Sequence, residues 1–148
     1  MDLDKIGTTN DEFTLNIDLA TTILSAANIQ PPSNTMQGKD ISLLYRTTSV
    51  KDKGISQQWR KDFYYEHPAL SRWNPYWIPK SEALVTKRYK YIKWPYFNKE
   101  QLFDLHNDKH EEYDLVANNN GSHILDNRID VLLHSMRDRF QLLKQRAL

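Results

Sequence analysis

The sequence predicts an α+β domain in which a small antiparallel sheet of three or four strands packs against a long C-terminal helix, with a second helix near the N-terminus. Three observations predict this architecture. Two β-prone runs, residues 81–86 and 89–94, are joined by Lys87-Arg88, a connection of hairpin length. A helical apolar period covers about residues 126–145. A similar period covers residues 16–27.

The N-terminal helix carries apolar residues at the three- and four-residue spacing of one face. These residues are Ile17, Ala20, Ile23, Leu24 and Ala27. Asn16 or Asp18 can cap its first turn, because a short side-chain oxygen accepts from the free amides there. Asn28 can adopt the left-handed conformation that ends a helix, and Pro31-Pro32 cannot continue it.

The remaining elements follow from local patterns. Residues 61–67 predict a strand with Phe63 and Tyr65 on one face and Tyr64 and Glu66 on the other, and residues 102–105 predict another strand. Other patterns predict a helical turn over 40–45, a positive φ at Gly38 and a turn over 118–121. The apolar face of the C-terminal helix comprises Ile129, Leu132, Leu133, Met136, Phe140 and Leu143.

Composition fits one folded domain of 148 residues, with residues 1–15 as a leading loop and residues 16–148 as the domain. The net charge of +1 argues against nucleic acid as a default partner. The absence of cysteine removes disulfides, thiolate metal sites and a cysteine nucleophile. No apolar run reaches the roughly 20 residues that span a bilayer, and the N-terminus lacks the pattern of a signal peptide. The compartment stays undetermined.

Five motifs in order carry a family resemblance. Residues 18–24 read D-L-A-T-T-I-L, where the family has proline in place of Thr21, and residues 31–44 contain P-P followed by M-Q-G-K-D-I-S-L-L. Residues 59–66 resemble a first C-terminal strand, 89–92 a K-Y-I strand, and 102–111 an L-F-D-L turn motif with Lys109 in place of proline. Together these motifs resemble the C-terminal subdomain of a formylglycine-dependent sulfatase of the alkaline-phosphatase-like superfamily.

The resemblance implies that catalysis belongs to an N-terminal domain. The family's nucleophile motif, Cys- or Ser-x-Pro-Ser-Arg, is absent: the only Pro-Ser pair is Pro32-Ser33, which Asn34 follows. We therefore expect a C-terminal portion of a sulfatase that is inactive by itself. In the intact enzyme the resemblance implies Ca²⁺, formylglycine, the N-terminal catalytic domain as partner and a periplasmic or secreted location. A free-standing binding or interaction module derived from a sulfatase is the alternative.

The loop from Glu66 to Lys80 is the candidate for substrate selection. It combines hydrogen-bonding groups with flat aromatic faces between prolines, a mixture that can line a polar pocket for a sulfated carbohydrate. The candidate substrate-binding residues are Glu66, His67, Arg72, Trp73 and Trp77. An alternative interpretation is that these aromatics pack against the N-terminal domain, which would leave an exposed patch in the isolated chain and favour self-association.

Three other chemistries are weaker. His106 and His110 near Glu111 and Glu112 have ligand character, but a strand end and turn do not give the helical spacing of a zinc pair, so solvated turn residues are favoured. The basic and aromatic residues 87–94 resemble a nucleic-acid stripe, but alternation favours a half-solvated strand. A hydrolase that uses His67 with Glu66 lacks a nucleophile.

Overall fold

A computed structural model describes residues 7, 9–30, 32, 35–45, 59–68, 78–119 and 127–147. The chain divides into two compact units, Met1–Lys61 and Asp62–Leu148. The first unit contains helix α1, Ile17–Ala26, and a 3₁₀ turn, Ile41–Leu44. The second contains the sheet and the C-terminal helix, so each unit is described by itself.

The sheet of the second unit has four antiparallel strands in the order β1-β2-β3-β4. These strands are β1 Asp62–His67, β2 Ser81–Thr86, β3 Tyr89–Trp94 and β4 Lys99–Asp104. The predicted hairpin with its two-residue connection is confirmed, and Thr86 stabilises it by accepting the Tyr89 amide at 2.8 Å. β4 begins three residues before the predicted strand, after a 3₁₀ turn at Pro95–Phe97 that the sequence pattern did not indicate.

Helix α2 covers Leu115–Asn119 and helix α3 covers Asn127–Ala147. Helix α3 confirms the predicted C-terminal helix. The predicted turn over 118–121 is wrong in its first half, because Asn118 and Asn119 end helix α2, and its second half lies outside the described residues. β4 ends at Asp104, whose carbonyl accepts the amides of Asn107 and Asp108 at 3.1 and 2.8 Å.

The core of the second unit lies between one face of the sheet and α3. The buried residues are Leu84, Tyr91 and Leu102 from the strands and Leu133, Met136 and Phe140 from α3. Register places the three strand residues side by side, because Leu84 pairs with Tyr91 and Tyr91 with Leu102. The Phe140 ring packs edge-on against Tyr91 with their centroids 5.3 Å apart.

Three ion pairs fasten α3 to this face of the sheet. Arg139 binds Asp62 on β1 at 2.6 and 2.8 Å, and Lys144 binds Glu82 on β2 at 2.7 Å. Arg137 forms a bidentate pair with Glu100 on β4, which also accepts the Tyr91 hydroxyl at 2.5 Å. Because each acidic residue lies on the helix-facing side of its strand, the pairs fix the direction of α3 across the sheet.

Helix α1 ends as the sequence predicts. Asn28 adopts a φ of 55°. The Ile29 amide donates to the Leu24 carbonyl at 2.9 Å and the Asn28 amide to the Ser25 carbonyl at 3.0 Å, which is the Schellman arrangement. At the other end Asp18, rather than Asn16, provides the side-chain contact, because its carboxylate accepts the Leu15 amide at 2.8 Å.

The predicted reason for Gly38 is wrong. Gly38 is not among the glycines with positive φ in the described residues. A Cβ at this position would instead lie 2.1 Å from the carbonyl oxygen of Ile17 and 2.8 Å from Thr21 Oγ1. Glycine is therefore required because the chain passes directly against the backbone of α1.

Candidate functional site

Two carboxylates lie directly opposite each other at the end of the sheet where β1 and β2 connect. Glu66 on β1 pairs in register with Glu82 on β2, so both side chains emerge on the same face. Like charges in this position repel. Lys80 relieves the repulsion, because its Nζ lies 2.7 Å from Glu66 and 3.2 Å from Glu82.

The two carboxylates differ in accessibility. The Glu82 side chain is only 2% exposed, whereas those of Glu66 and Lys80 are 45% and 42% exposed. Burial raises the pKa of Glu82, but hydrogen bonds from Lys144 and Lys80 outweigh burial and hold that pKa below its usual value. Glu82 is therefore an ionised anchor, and Glu66 with Lys80 form the part of the cluster that a ligand can reach.

The charges of Glu66 and Glu82 shift the pKa values of Lys80 and Tyr64. Hydrogen bonds to Glu66 and then to Glu82 raise the pKa of Lys80, so it remains a charged donor. Burial, followed by the charges of Glu82 and Glu66, raises the pKa of Tyr64 to about 12. The carboxylates therefore outweigh Lys80 in the field that Tyr64 experiences.

His67 does not join this cluster. It follows Glu66 in β1 and pairs in register with Ser81, so its side chain points to the opposite face of the sheet. Its Nδ1 atom is buried and has no hydrogen-bond partner in the described part of the chain. Because Glu66 and His67 point apart, the geometry gives no support to a hydrolase that uses the two together.

Three candidate residues from the sequence, Arg72, Trp73 and Trp77, lie outside the described residues. The residue that sequence reasoning missed is Lys80, which was treated as the end of the loop. Its role depends on the register of Glu66 against Glu82, and a charged residue one position before a predicted strand was the available signal.

A second feature is the outward surface of α1. The buried side of this helix is polar: Asp18 is fully buried and Thr21 is 9% exposed. The apolar side faces outward, with Leu19 and Ile23 57% and 67% exposed. Ile17, at 45% exposed, extends this surface towards the start of the helix. An ordinary amphipathic surface helix has the reverse arrangement, so this face is unusual for an isolated domain.

Comparison with known proteins assigns the chain to a family. The family model described as "N-sulphoglucosamine sulphohydrolase, C-terminal" matches residues 3–139 of the chain. The chain belongs to this family. The resemblance inferred from the five sequence motifs is thereby confirmed, and the chain is a sulfatase C-terminal domain.

Solved structures agree with this assignment at the level of the fold. The chain is similar to BT4656, solved in complex with its substrate D-glucosamine-2-N,6-O-disulfate, with a TM-score of 0.61, 18% identity and coverage of 86% of this chain and 24% of that one. It is also similar to BT1596, a 2-O GAG sulfatase, with a TM-score of 0.61, 20% identity and coverage of 88% and 26%. A candidate sulfatase from Bacteroides thetaiotaomicron gives a TM-score of 0.55, 22% identity and the same coverages.

The sulfatase C-terminal domain spans about a quarter of the length of these solved structures. No curated protein matches the chain at a significant level. At these identities the structural likeness shows the fold, and the family match is what assigns the domain to the sulfatases.

The side chains of the turn after β4 are engaged within the domain. Lys90 Nζ binds both carboxylate oxygens of Glu111 at 2.9 and 2.8 Å, and Asp108 accepts the amides of Glu112 and Tyr113 at 3.1 and 2.9 Å. Among the described residues, no group of three or more His, Asp or Glu side chains could hold a metal ion. The residues near His106 and His110 thus act as turn and ion-pair residues.

Two of the basic residues of the hairpin are also paired. Arg88 binds Asp104 at 3.1 Å, and Lys90 binds Glu111. Arg88 and Lys90 are therefore neutralised within the domain and are not free to bind a phosphate backbone. Within the described ranges, no helix is sufficiently long and apolar to cross a membrane.

Proposed function

We propose that this sulfatase C-terminal domain docks on a sulfatase catalytic domain and helps select a sulfated carbohydrate substrate. The observation that carries the docking part is the reversed amphipathicity of α1. A polar face that is buried within its own unit and an apolar face that is open leave a surface suited to a second folded body.

The contacts on the buried side explain why α1 cannot simply turn over. Thr22 Oγ1 accepts the Ile41 amide at 2.9 Å, and Ser25 Oγ donates to Asp40 at 2.5 Å. Asp18 accepts the Lys39 amide at 2.8 Å and binds Arg60. Rotating the apolar face inward would break all these bonds, so burial of that face requires a partner.

The occupant we propose is a catalytic domain of the same family. The solved structures that share this fold are about four times longer than the part that the chain matches, so in each of them this fold accompanies a much larger remainder. Ca²⁺ and the formylglycine nucleophile, which the family resemblance implies, would belong to that catalytic domain.

The substrate part of the proposal rests on the solved sulfatases. BT4656 was solved with a disulfated glucosamine, and BT1596 is a GAG sulfatase. The half-exposed Glu66 and Lys80 offer an acceptor and a donor to a sugar of this class. Sulfate-ester hydrolysis would occur in the catalytic domain, and this domain would contribute contacts to the sugar.

The DNA immediately upstream of the codon for Met1 tests the docking part. An in-frame continuation that encodes the nucleophile motif, whose expressed product hydrolyses an aryl sulfate only when this domain is present, supports the proposal. A promoter and ribosome-binding site directly before Met1 would support a free-standing binding module instead.

The selection part is tested in the full-length enzyme. Glu66→Gln and Lys80→Met should change the preference among sulfated sugars more than the turnover of an aryl sulfate, which makes few contacts outside the catalytic centre. An equal loss on all substrates would instead show that these residues support the fold or the domain interface.

A further inference from the structure

The Glu66–Lys80 pair has the geometry of a hydroxyl-recognition element. Its two charged groups are 2.7 Å apart and nearly half exposed. A lysine ammonium has three N–H donors, and in this cluster two of them are directed at Glu66 and Glu82. One donor is left for a ligand, beside a carboxylate that still has acceptor capacity.

The rest of the cluster holds this pair in place. The buried Glu82 receives Lys144 from α3 at 2.7 Å on one side and Lys80 on the other. A lysine is usually a flexible point charge. Here the two carboxylates fix the Lys80 ammonium between adjacent strands, so less conformational entropy is lost when it binds a ligand.

The charge balance decides which part of a sulfated sugar fits. Glu66 and Glu82 carry two negative charges, and Lys80 and Lys144 carry two positive charges, so the cluster is neutral as a whole. The accessible pair also contains a carboxylate, which would repel a sulfate placed against it. A neutral group that both accepts and donates suits the pair better.

We propose that Glu66 and Lys80 bind two adjacent hydroxyls of a pyranose ring, with Lys80 donating to one hydroxyl oxygen and Glu66 accepting from the other. Neighbouring ring hydroxyls are separated by about the distance between two hydrogen-bonded heavy atoms, which matches the separation of the two side chains. This inference rests on the proposed glycan substrate and names its unsulfated diol as the recognised feature.

The ligand of BT4656 shows that such a diol exists in this substrate class. A glucosamine with sulfates on N2 and O6 keeps free hydroxyls on the adjacent ring carbons C3 and C4. A domain that binds this diol would distinguish sugars by which ring positions are not sulfated. The catalytic domain would bind the sulfates themselves.

The test is an NMR titration of the 148-residue chain with D-glucosamine-2-N,6-O-disulfate as the probe. Amide signals of Glu66 and Lys80 should shift on titration. Analogues that lack either the C3 or the C4 hydroxyl should bind roughly tenfold more weakly or worse, because a charged group loses a hydrogen bond. Unsulfated N-acetylglucosamine, which is uncharged and keeps both hydroxyls, should bind within about threefold of the probe, and added salt should change the affinity little.

Variants separate this interpretation from others. Glu66→Gln removes the repulsion from Glu82, so it should fold and yet bind about tenfold more weakly. Lys80→Met should show the same loss, whereas Lys90→Met, which removes a comparable lysine–glutamate pair elsewhere in the domain, should bind as the wild type does.

Two results would overturn the inference. The first is binding that disappears with the sulfates and weakens steeply with salt, which identifies Lys80 as a sulfate ligand. The second is the absence of shifts at Glu66 and Lys80, or equal binding by Glu66→Gln. Neither result affects docking on a catalytic domain, which the upstream sequence and its expressed product test separately.

Discussion

Asp18 and Arg60, 42 residues apart in sequence, form a bidentate ion pair that organises the N-terminal unit. The Asp18 side chain is fully buried and that of Arg60 is 10% exposed. Asp18 also accepts the amides of Leu15 and Lys39, each at 2.8 Å. One carboxylate thereby joins the start of α1, the segment after Gly38 and the segment that precedes β1.

Asp18→Ala should destabilise the N-terminal unit by about 3–5 kcal/mol, because it leaves the Arg60 charge buried and removes the acceptor of two backbone amides. Arg60→Ala should cost less, since the carboxylate keeps both amides as donors. Hydrogen exchange at Leu15 and Lys39 measures the effect directly. Faster exchange in Arg60→Ala than in Asp18→Ala would contradict this ranking.

The same carboxylate should make the unit sensitive to acid. Burial raises the pKa of Asp18, but the hydrogen bond from Arg60 and those from the Leu15 and Lys39 amides lower it more, so the folded pKa lies below the ordinary value of 3.8. A depressed folded pKa gives stability that is complete above the unfolded pKa and is lost as the pH falls through the folded pKa. The free energy of unfolding measured in urea should therefore fall below about pH 4, and Asp18→Asn should reduce this pH dependence.

Gly38→Ala should destabilise the same unit by about 1–3 kcal/mol, and more if the backbone cannot shift. The added methyl would lie 2.1 Å from the Ile17 carbonyl oxygen, an atom of the helix backbone that cannot rotate away. Gln37→Ala is the matched control, because it changes an exposed side chain at the neighbouring position. Urea midpoints for the two variants give the measurement, and equal midpoints would show that the close approach is not required.

Phe140→Ala should cost the sheet unit about 3–5 kcal/mol. The ring is 1% exposed and contacts Tyr91 and Tyr64, with centroids 5.3 and 5.6 Å away, so its removal leaves a cavity between α3 and the sheet. Leu142→Ala, two residues along the same helix and 40% exposed, should cost far less. Thermal unfolding followed by circular dichroism compares the two, and a similar loss in both would place the core elsewhere.

Local patterns predicted the sheet well because its signals are short in range. The hairpin at Lys87-Arg88 and the faces of residues 61–67 depend only on alternation and a two-residue connection. Asn28 could be predicted for a similar reason, since few residues tolerate its φ of 55°.

The orientation of α1 could not be obtained from its periodicity. Asp18, Thr21, Thr22 and Ser25 repeat at helical spacing just as the apolar residues do, and their partners lie far along the chain at residues 39–41 and 60. A period identifies two faces, and only the long-range contacts decide which of them is buried. Lys80 was missed for the same reason, because its role depends on the pairing of Glu66 with Glu82.

The outward face of α1 gives the sharpest test of the proposed domain contact. Ile23→Lys should leave the isolated chain within about 0.5 kcal/mol of the wild type, since Ile23 is 67% exposed and lysine is a good helix former. In the full-length enzyme the same change should weaken the contact between this domain and the catalytic domain, because a charge would be buried in an apolar interface. Limited proteolysis between the domains would detect this as faster cleavage.

Val131→Lys is the matched control for that experiment. Val131 is an exposed apolar residue on α3, 70% exposed, and it belongs to no apolar surface among the described residues that we propose as an interface. It should change neither stability nor cleavage. If Ile23→Lys and Val131→Lys behave alike in the full-length enzyme, the apolar face of α1 does not contact the catalytic domain. Light scattering of the isolated chain, with and without Ile23→Lys, then shows whether that face instead joins two copies of the chain.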